Sequence, residues 1–426
     1  MKTRSDILRL IEEEDVEFIR LQFTDVFGNL KNIAVTLGQI DRVLGNQFSI
    51  EGSALFDELY DPGMNLYLHP VLDSFVILPW RPQQGKVGKF ICDVCYRNGE
   101  LFEMSPRTIL KKVLDQAAGE GYAFIVDPEC EFFLFHTDDN GTPTTITHEK
   151  AGYLDVGPLD LGENARRDMV LTLEQMGFDI ESSHHEKGPA QHEIDFTQGE
   201  ALETADSLMT FKFAIRSIAK RFGLYATFMP KPRTDVTGSG MHLNLSLYKD
   251  GKNLFHGEDE YSVSEEARYF MGGIMKHAAA LCAVTNPIVN SYKRILSGFG
   301  APGKIDWSTR GEKTMLKCHN LLGESKVELR FPDPAANPYL AIAVCIAAGM
   351  DGIHKKLEPG EENAADAKPL PGNLKDAIVL FEQDPLMKEV LGEELTKIYA
   401  KLKNDEWNDY MLQVSDWEVG RYLVKM

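Results

Sequence analysis

The sequence has no apolar run long enough to cross a bilayer; the longest, Leu340 to Met350, suits a buried helix. It is short of positive charge, with 45 Lys and Arg against 65 Asp and Glu and a formal net charge of -20. That balance argues against a nucleic-acid partner and against an anionic membrane surface, since both require a basic face. An anionic substrate would need a local cationic pocket or bound metal ions. Cysteine is scarce too. Six residues (Cys92, Cys95, Cys130, Cys282, Cys318 and Cys345) are scattered along the chain. Cys92-Asp93-Val94-Cys95 has no second pair at metal-finger spacing and reads as part of a strand without metal. With no disulfide framework and no apolar leader in MKTRSDILRLIEEED, a reduced cytoplasmic protein is expected.

What is present is a globular composition, 426 residues of which 43% are hydrophobic, enough for a full core. The first hundred residues hold short alternating runs (VEFIRLQFTD, KNIAVTL, DSFVILPW, GKFICDVC) separated by turn signals, which predicts a small sheet-rich domain. Ser105-Pro106 then reads as an N-cap followed by proline at the first helical position, opening the amphipathic RTILKKVLDQAAGEG. Strands and longer helices alternate beyond it, including ENARRDMVLTLEQMGF and a helix ending at Gly223. Residues from Asn373 onward read as helices, and Glu358 to Gly372 as a polar surface loop. The domain boundary is expected near residue 102, giving domains 1–101 and 102–426.

The stretch DPECEFFLF, Asp127 to Phe135, reads as a strand but sets Glu129 and Glu131 two residues apart among large apolar neighbours. On one strand face they would lie about 7 Å apart and repel by roughly 2 kcal/mol at an effective dielectric near 20. Either that face is open to water or a cation sits between them. Three further strands repeat the pattern. His192 to Phe196 alternates Glu193 and Asp195; Met241 to Leu247 alternates His242, Asn244 and Ser246; Lys326 to Phe331 alternates Lys326, Glu328 and Arg330. Each alone is a half-buried antiparallel strand with one solvated face. Together they collect Glu, His and Arg with hardly any Thr, which favours a curved sheet whose inner face holds divalent cations. Hard Mg2+ or Mn2+ suits such oxygen donors. Glu186, on a Gly/Pro loop preceding Glu193, adds a carboxylate there. The Gly-rich Thr237 to Gly240 permits close backbone approach to a ligand.

DPECEFFLF, SHHEKGPAQHEIDF, FMPKP with GSGMHLNLSL, NPIVNSYKR and VELRFPDPAANPYLAIAVCIAAGMDGI resemble, in this order, the motifs of type I glutamine synthetases across essentially the whole chain. The resemblance implies an α+β protein, with an N-terminal β-grasp domain and a catalytic domain whose curved antiparallel sheet, flanked by helices, forms a funnel. It implies a homo-oligomer of stacked six-membered rings with active sites shared between subunits. It also implies two metal sites, Glu131, Glu186 and Glu193 in one and Glu129, His242 and Glu328 in the other. ATP would phosphorylate the side chain of glutamate, and ammonia would displace the phosphate. By the same resemblance Arg294 and Arg330 grip the glutamate carboxylates, Gly238 lies at its amino group, and Glu181, His184, Ser246 and Lys326 line the nucleotide pocket.

The departures from the family pattern cluster in the chemistry. The family's Gly-Tyr-Glu-Ala-Pro flap, whose glutamate takes a proton from ammonium, reads Gly298-Phe299-Gly300-Ala301-Pro302 here. Glycine cannot accept a proton, and such help is typically worth ~10²–10⁴-fold. The ammonium-binding Asp-Gly-Ser-Ser aligns with Glu51-Gly52-Ser53-Ala54. Two phosphate-binding arginines become Glu312 and Lys317, with Lys313 beside the former. Lysine keeps the charge but loses the fork. The asparagine before Gly-Ser-Gly is Thr237, and the loop from Glu358 to Gly372 lacks the tyrosine that some members adenylylate. Three readings follow: a ligase using ammonia, a ligase joining glutamate or a related acid to a larger amine, and a catalytically silent binder of nucleotide or amino acid.

Overall fold

The computed structural model describes residues 2–81, 84–257, 262–311, 313–321 and 324–424. Glu312 lies outside the described residues. The chain opens with helix α1 (Arg4–Glu13), whose Thr3 and Asp6 side chains cap each other's backbone amides. Strands β1 (Val16–Thr24) and β2 (Leu30–Thr36) form a hairpin, followed by a short helix α2 (Ile40–Leu44), and then β3 (Phe48–Glu51), β4 (Asn65–Pro70), β5 (Val76–Ile77) and β6 (Lys86–Cys95). The sheet runs β2-β1-β6-β4-β3 with β5 on β6, and β1 and β6 pair in parallel. This is the β-grasp layer. DSFVILPW contributes only the two residues of β5, and β3 and β4 carry no strong alternating signal of their own. Cys92 and Cys95 are buried free thiols in β6, and burial pushes the Cys92 thiol far up.

The larger part begins with α3 (Pro106–Gly119), as its Ser-Pro start predicts, although the Ser105 hydroxyl makes no capping bond. Then come β7 (Tyr122–Cys130), β8 (Phe132–His136), α4 (Glu163–Gln175), β9 (Ile180–His185), β10 (Gln191–Phe196), β11 (Gly199–Glu200), α5 (Ala201–Ala219) and β12 (Leu224–Thr227). They are followed by β13 (Met241–Lys249), β14 (Lys252–Asn253), α6 (Glu265–Thr285), α7 (Val289–Ile295), β15 (Trp307–Ser308), β16 (Leu316–Leu321) and β17 (Glu324–Leu329). The chain closes with α8 (Pro338–Lys355), α9 (Leu374–Gln383), α10 (Pro385–Leu391), α11 (Glu393–Met411) and α12 (Asp416–Tyr422). The strands form two sheets rather than one. A seven-stranded sheet runs β11-β7-β13-β17-β16-β15 with β14 on β13, and a four-stranded sheet runs β12-β8-β10-β9. All pairs but β15 with β16 are antiparallel.

DPECEFFLF is therefore not one strand. It breaks at Glu131, with β7 in the larger sheet and β8 in the smaller. The Glu131 backbone N–H donates to the Gly240 carbonyl at 3.1 Å, which turns the chain at the seam between the sheets.

Helix α8, the apolar run of the sequence, is buried and packs on α6. Glycines allow the approach: a Cβ at Gly273 would lie 2.1 Å from the Ala348 carbonyl oxygen, and one at Gly352 2.0 Å from that of Tyr269. The hydrophobic core continues across residue 102, from Ile19 and Phe90 to Leu340 and Ile342. Polar ties cross it too. Asn337 accepts from the Tyr339 amide at 3.1 Å as the N-cap of α8, while its Nδ2 donates to the Asp25 carbonyl at 2.9 Å. Arg107 holds Asp93 on one side and both oxygens of Asp206 on the other. Among the described residues no helix is long and apolar enough to cross a membrane.

Candidate active site

Strand register sets the first side chains. Glu129 on β7 stands directly opposite His242 on β13, Asn244 opposite Glu328 on β17, and Glu328 opposite Lys317 on β16. Directly opposed residues share a sheet face. Ligand atoms of Glu129, His242 and Glu328 accordingly lie within 4.8 Å of one another. His242 Nδ1 is 3.1 Å from Glu129 Oε2 and 3.3 Å from Glu328 Oε1. Burial pushes the Glu129 carboxyl up. The His242 hydrogen bond and charge, with Asn244 and Arg330, overcome this and hold it down at about 2.

The second cluster lies at the seam. Glu131 at the chain break, Glu186 on the loop after β9 and Glu193 on β10 bring carboxylate oxygens within 4.8 Å. The loop is tightly made. The Glu186 amide donates to the Gln191 carbonyl at 2.8 Å, and the Gln191 amide to that of Gly188 at 2.9 Å. The Gln191 side chain accepts from Gly188 N at 3.0 Å and donates to Glu131 Oε2 at 2.9 Å. Gly240 N donates to the same Glu131 oxygen at 2.8 Å. Burial, then the charge of Glu186, pushes the Glu131 carboxyl up to about 7. Burial, then Glu131, drives Glu193 well above the carboxylate range. These groups resist ionisation together unless a positive charge joins them.

Glu193 also belongs to a third grouping with His184 and Asp195, again within 4.8 Å. Among the described residues, His184 Nδ1, Asp195 Oδ1 and Arg330 Nε are buried without a hydrogen-bond partner. Carboxylate oxygens gathered against their own repulsion, with one imidazole and orphaned polar atoms beside them, fit hard divalent cations.

The remaining predicted residues divide. Lys326 is 2.9 Å from Asp127 and 3.1 Å from Glu324. Glu181 is exposed on β9, where burial and then the charge of Asp127 raise its carboxyl. Lys317 stands directly opposite Glu328 by register. Ser246, by contrast, is buried and donates its hydroxyl to the Ser325 carbonyl at 3.0 Å. Arg294 is buried and donates to the carbonyls of Phe331 at 2.9 Å, Pro332 at 3.3 Å and Arg330 at 3.0 Å, so it braces the segment carrying Arg330. Arg330 Nη1 donates to Glu328. Gly238 and Gly240 give close approach to protein groups: a Cβ would meet the Pro230 oxygen at 2.4 Å in the first case and Arg294 Nη2 at 2.7 Å in the second. Glu51 ends β3 exposed on the N-terminal sheet, and no hydrogen bond or ion pair among the described residues links it to the clusters. Gly300 sits at φ +97°, and among the described residues nothing lies within 4 Å of where its Cβ would be.

Sequence reasoning missed Gln191, Asp127, Tyr153, His319 and Glu149. The ring of Tyr153 meets His184 edge to face, with centroids 5.7 Å apart. His319 Nδ1 is buried with no hydrogen-bond partner among the described residues, at the position of β16 that pairs with Lys326. Register shows His319 once β16 is placed; nothing in the sequence singles out Glu149. A cavity of about 820 Å³ lies elsewhere, beside Phe27, Lys212, Arg216 and Lys403, and includes none of the clustered ligands.

Residues 103–422 match the family model of the glutamine synthetase catalytic domain, and residues 15–97 that of the glutamine synthetase beta-grasp domain. A glutamine synthetase of Clostridium saccharobutylicum is 48% identical, covering 99% of both chains. One of Thermus thermophilus is 43% identical, with the same coverage of each. A solved structure described as a GmaS/ADP complex superposes with a TM-score of 0.89 at 32% identity, covering 98% of this chain and 99% of that one.

Proposed function

The chain belongs to the glutamine synthetase family and is an ATP-dependent ligase; within that family we propose that it forms an amide on the side-chain carboxylate of glutamate through an acyl phosphate, with ammonia as acceptor. The observation that carries this reading is the convergence of Glu131, Glu186 and Glu193 beside Glu129, His242 and Glu328. These two sets would each hold a divalent cation, Mg2+ or Mn2+. When bound there, such ions would supply positive charge against the negative charge that develops during phosphoryl transfer.

The chain's own groups do the rest. Lys326 and Lys317 offer positive charge to a nucleotide on the funnel face, and Arg330 Nε, without a partner among the described residues, suits a carboxylate or phosphate. Arg294 holds Arg330 in place through three carbonyls. A glutamate carboxylate oxygen takes the γ-phosphoryl group; the amine nitrogen then attacks the acyl carbon and phosphate leaves. The ammonium proton must go to some base, and Gly300 cannot be it.

That absence favours a second reading, in which the acceptor is a larger amine. Open space at Gly300 leaves room for it, and an amine of lower pKa needs less base. The solved GmaS structures share this fold at 32% identity, and one of them is described as a complex with ADP, in keeping with a nucleotide-using site. The test is phosphate release by the purified protein with Mg-ATP, glutamate and a panel of amines. Release with ammonia above all other amines supports the first reading; release only with larger amines supports the second. No release with any amine, alongside measurable nucleotide binding, rejects both. The domain boundary near residue 102, the shared-site oligomer and the Glu51 contribution from a neighbouring subunit belong to this proposal.

A further inference from the structure

Behind the Glu131 cluster lies a second group of ligand types. Glu149, Asp160, His185 and His192 are all buried and offer atoms within 4.8 Å of one another. A cation is already there, supplied by the protein: Arg166 Nη1 is 2.7 Å from Asp160 Oδ2 and 2.8 Å from His192 Nδ1. The group is therefore not another metal site, and its use must be sought in what it touches.

Glu149 is the hub. Its Oε1 accepts from His185 Nε2 at 2.7 Å and from the Ala190 amide; its Oε2 accepts from the amides of Leu161 at 2.8 Å and Gly162 at 3.2 Å. The other nitrogen of His185, Nδ1, meets the carbonyl oxygen of Glu186 at 2.6 Å. With an acceptor at each nitrogen, the imidazole donates at both. One carboxylate thus grips the segment 186–190 at both ends, through His185 at Glu186 and directly at Ala190. That segment carries Glu186 and turns through Ala190 at φ +67°, a left-handed conformation strained for alanine and in need of holding. His192 and Arg166 close the back of the same site, and a Cβ on Gly162 would lie 2.4 Å from His192 Nε2.

We propose that Glu149, acting through His185, is a positioning residue that sets the place of Glu186 and thereby the cation affinity of the Glu131–Glu186–Glu193 set. This rests on the ligase reading, because it takes that set to hold a cation. Outer groups that orient ligands are typically worth 10- to 100-fold in metal affinity. The Glu129–His242–Glu328 set has no bond to Glu149 and keeps its affinity.

The experiment titrates the full-length protein and its variants with Mn2+ alone, following free Mn2+ by electron paramagnetic resonance, with thermal unfolding of each metal-free protein as a control for folding. The wild type is expected to bind at two resolved sites. In E149Q one site weakens about 10- to 100-fold while the other is unchanged. H185Q retains a donor toward Glu149 but loses the one to the Glu186 carbonyl, and is expected to weaken the same single site. H185N, which keeps the donor nearer Glu186, weakens it less. Two sites at wild-type affinity in both E149Q and H185Q overturn the proposal and leave the ligase reading standing. Parallel weakening of both sites with a fall in melting temperature also overturns it, since the residue would then be merely structural. A wild type that binds no Mn2+ overturns the proposal together with the ligase reading.

Discussion

Glu129 and Glu131 are two residues apart in the chain but serve different clusters, because the backbone leaves one sheet and enters another between them. Glu129 is held ionised by His242, whereas Glu131 is pushed toward protonation by burial and by Glu186. The seam divides one stretch of chain between two adjoining clusters of ligand-type side chains.

The crowding makes a stability prediction. In metal-free protein, Glu193→Gln removes one buried carboxylate from the Glu131 set and is expected to raise the melting temperature. With saturating Mn2+ the order reverses, because only the wild type gains the full linkage, about 2.7 kcal/mol at a hundredfold excess over Kd. Differential scanning fluorimetry with and without Mn2+ checks it, and a variant less stable under both conditions contradicts it.

Gly300→Glu tests the acceptor side. The φ of +97° will cost the variant about 1–3 kcal/mol of local strain. If a base is what ammonia lacks, turnover with ammonia rises by ~10²-fold or more while turnover with bulky amines falls. No change with either acceptor would show that this position does not face the incoming nitrogen.

Lys89 gives a pH dependence. It is buried, with its Nζ 2.6 Å from Thr210 Oγ1, and burial pulls its pKa down to about 8. The unfolded chain keeps the ordinary lysine value near 10.4 and so binds more protons between those two pH values. Stability from this group therefore rises with pH over that window, by about 3 kcal/mol in all. Urea unfolding of wild type and Lys89→Met at pH 7.5 and pH 10 measures it: the wild-type excess in slope should vanish in the variant. Equal pH dependence of the two proteins rejects the assignment.

How much of this was legible in the sequence follows from where each signal lies. Glu129, Glu193, His242 and Glu328 announce themselves because strand alternation puts unusual side chains on one face. The break at Glu131 does not show, since Phe132 to Phe135 continues a strand-like run, and it is the tertiary pairing of β8 with β10 and β12 that puts it in the smaller sheet. Ser246 obeys the alternation, but its hydroxyl finds Ser325 first. Glu149 sits in a loop without periodicity, 36 residues from His185 in sequence, and only the tertiary fold brings them together.

Asn337 tests the junction between the two parts of the chain. Replacing it with alanine removes the α8 N-cap and the bond to the Asp25 carbonyl at once. A cap is typically worth about 1 kcal/mol and a buried hydrogen bond about as much again. Asn337→Ser keeps a cap acceptor but loses the Nδ2 donor, so its destabilisation in chemical unfolding should fall between those of wild type and Asn337→Ala. Equal loss in both variants would mean that the cap contributes nothing beyond the tie to Asp25.

The central claim is that the two acidic sets hold divalent ions for a nucleotide triphosphate. Anomalous scattering from crystals grown with Mn2+ and a non-hydrolysable ATP analogue tests it most directly. The account predicts a manganese peak among Glu131, Glu186 and Glu193 and another among Glu129, His242 and Glu328, with the analogue's phosphates against them. Nucleotide density without a peak at either set would contradict it.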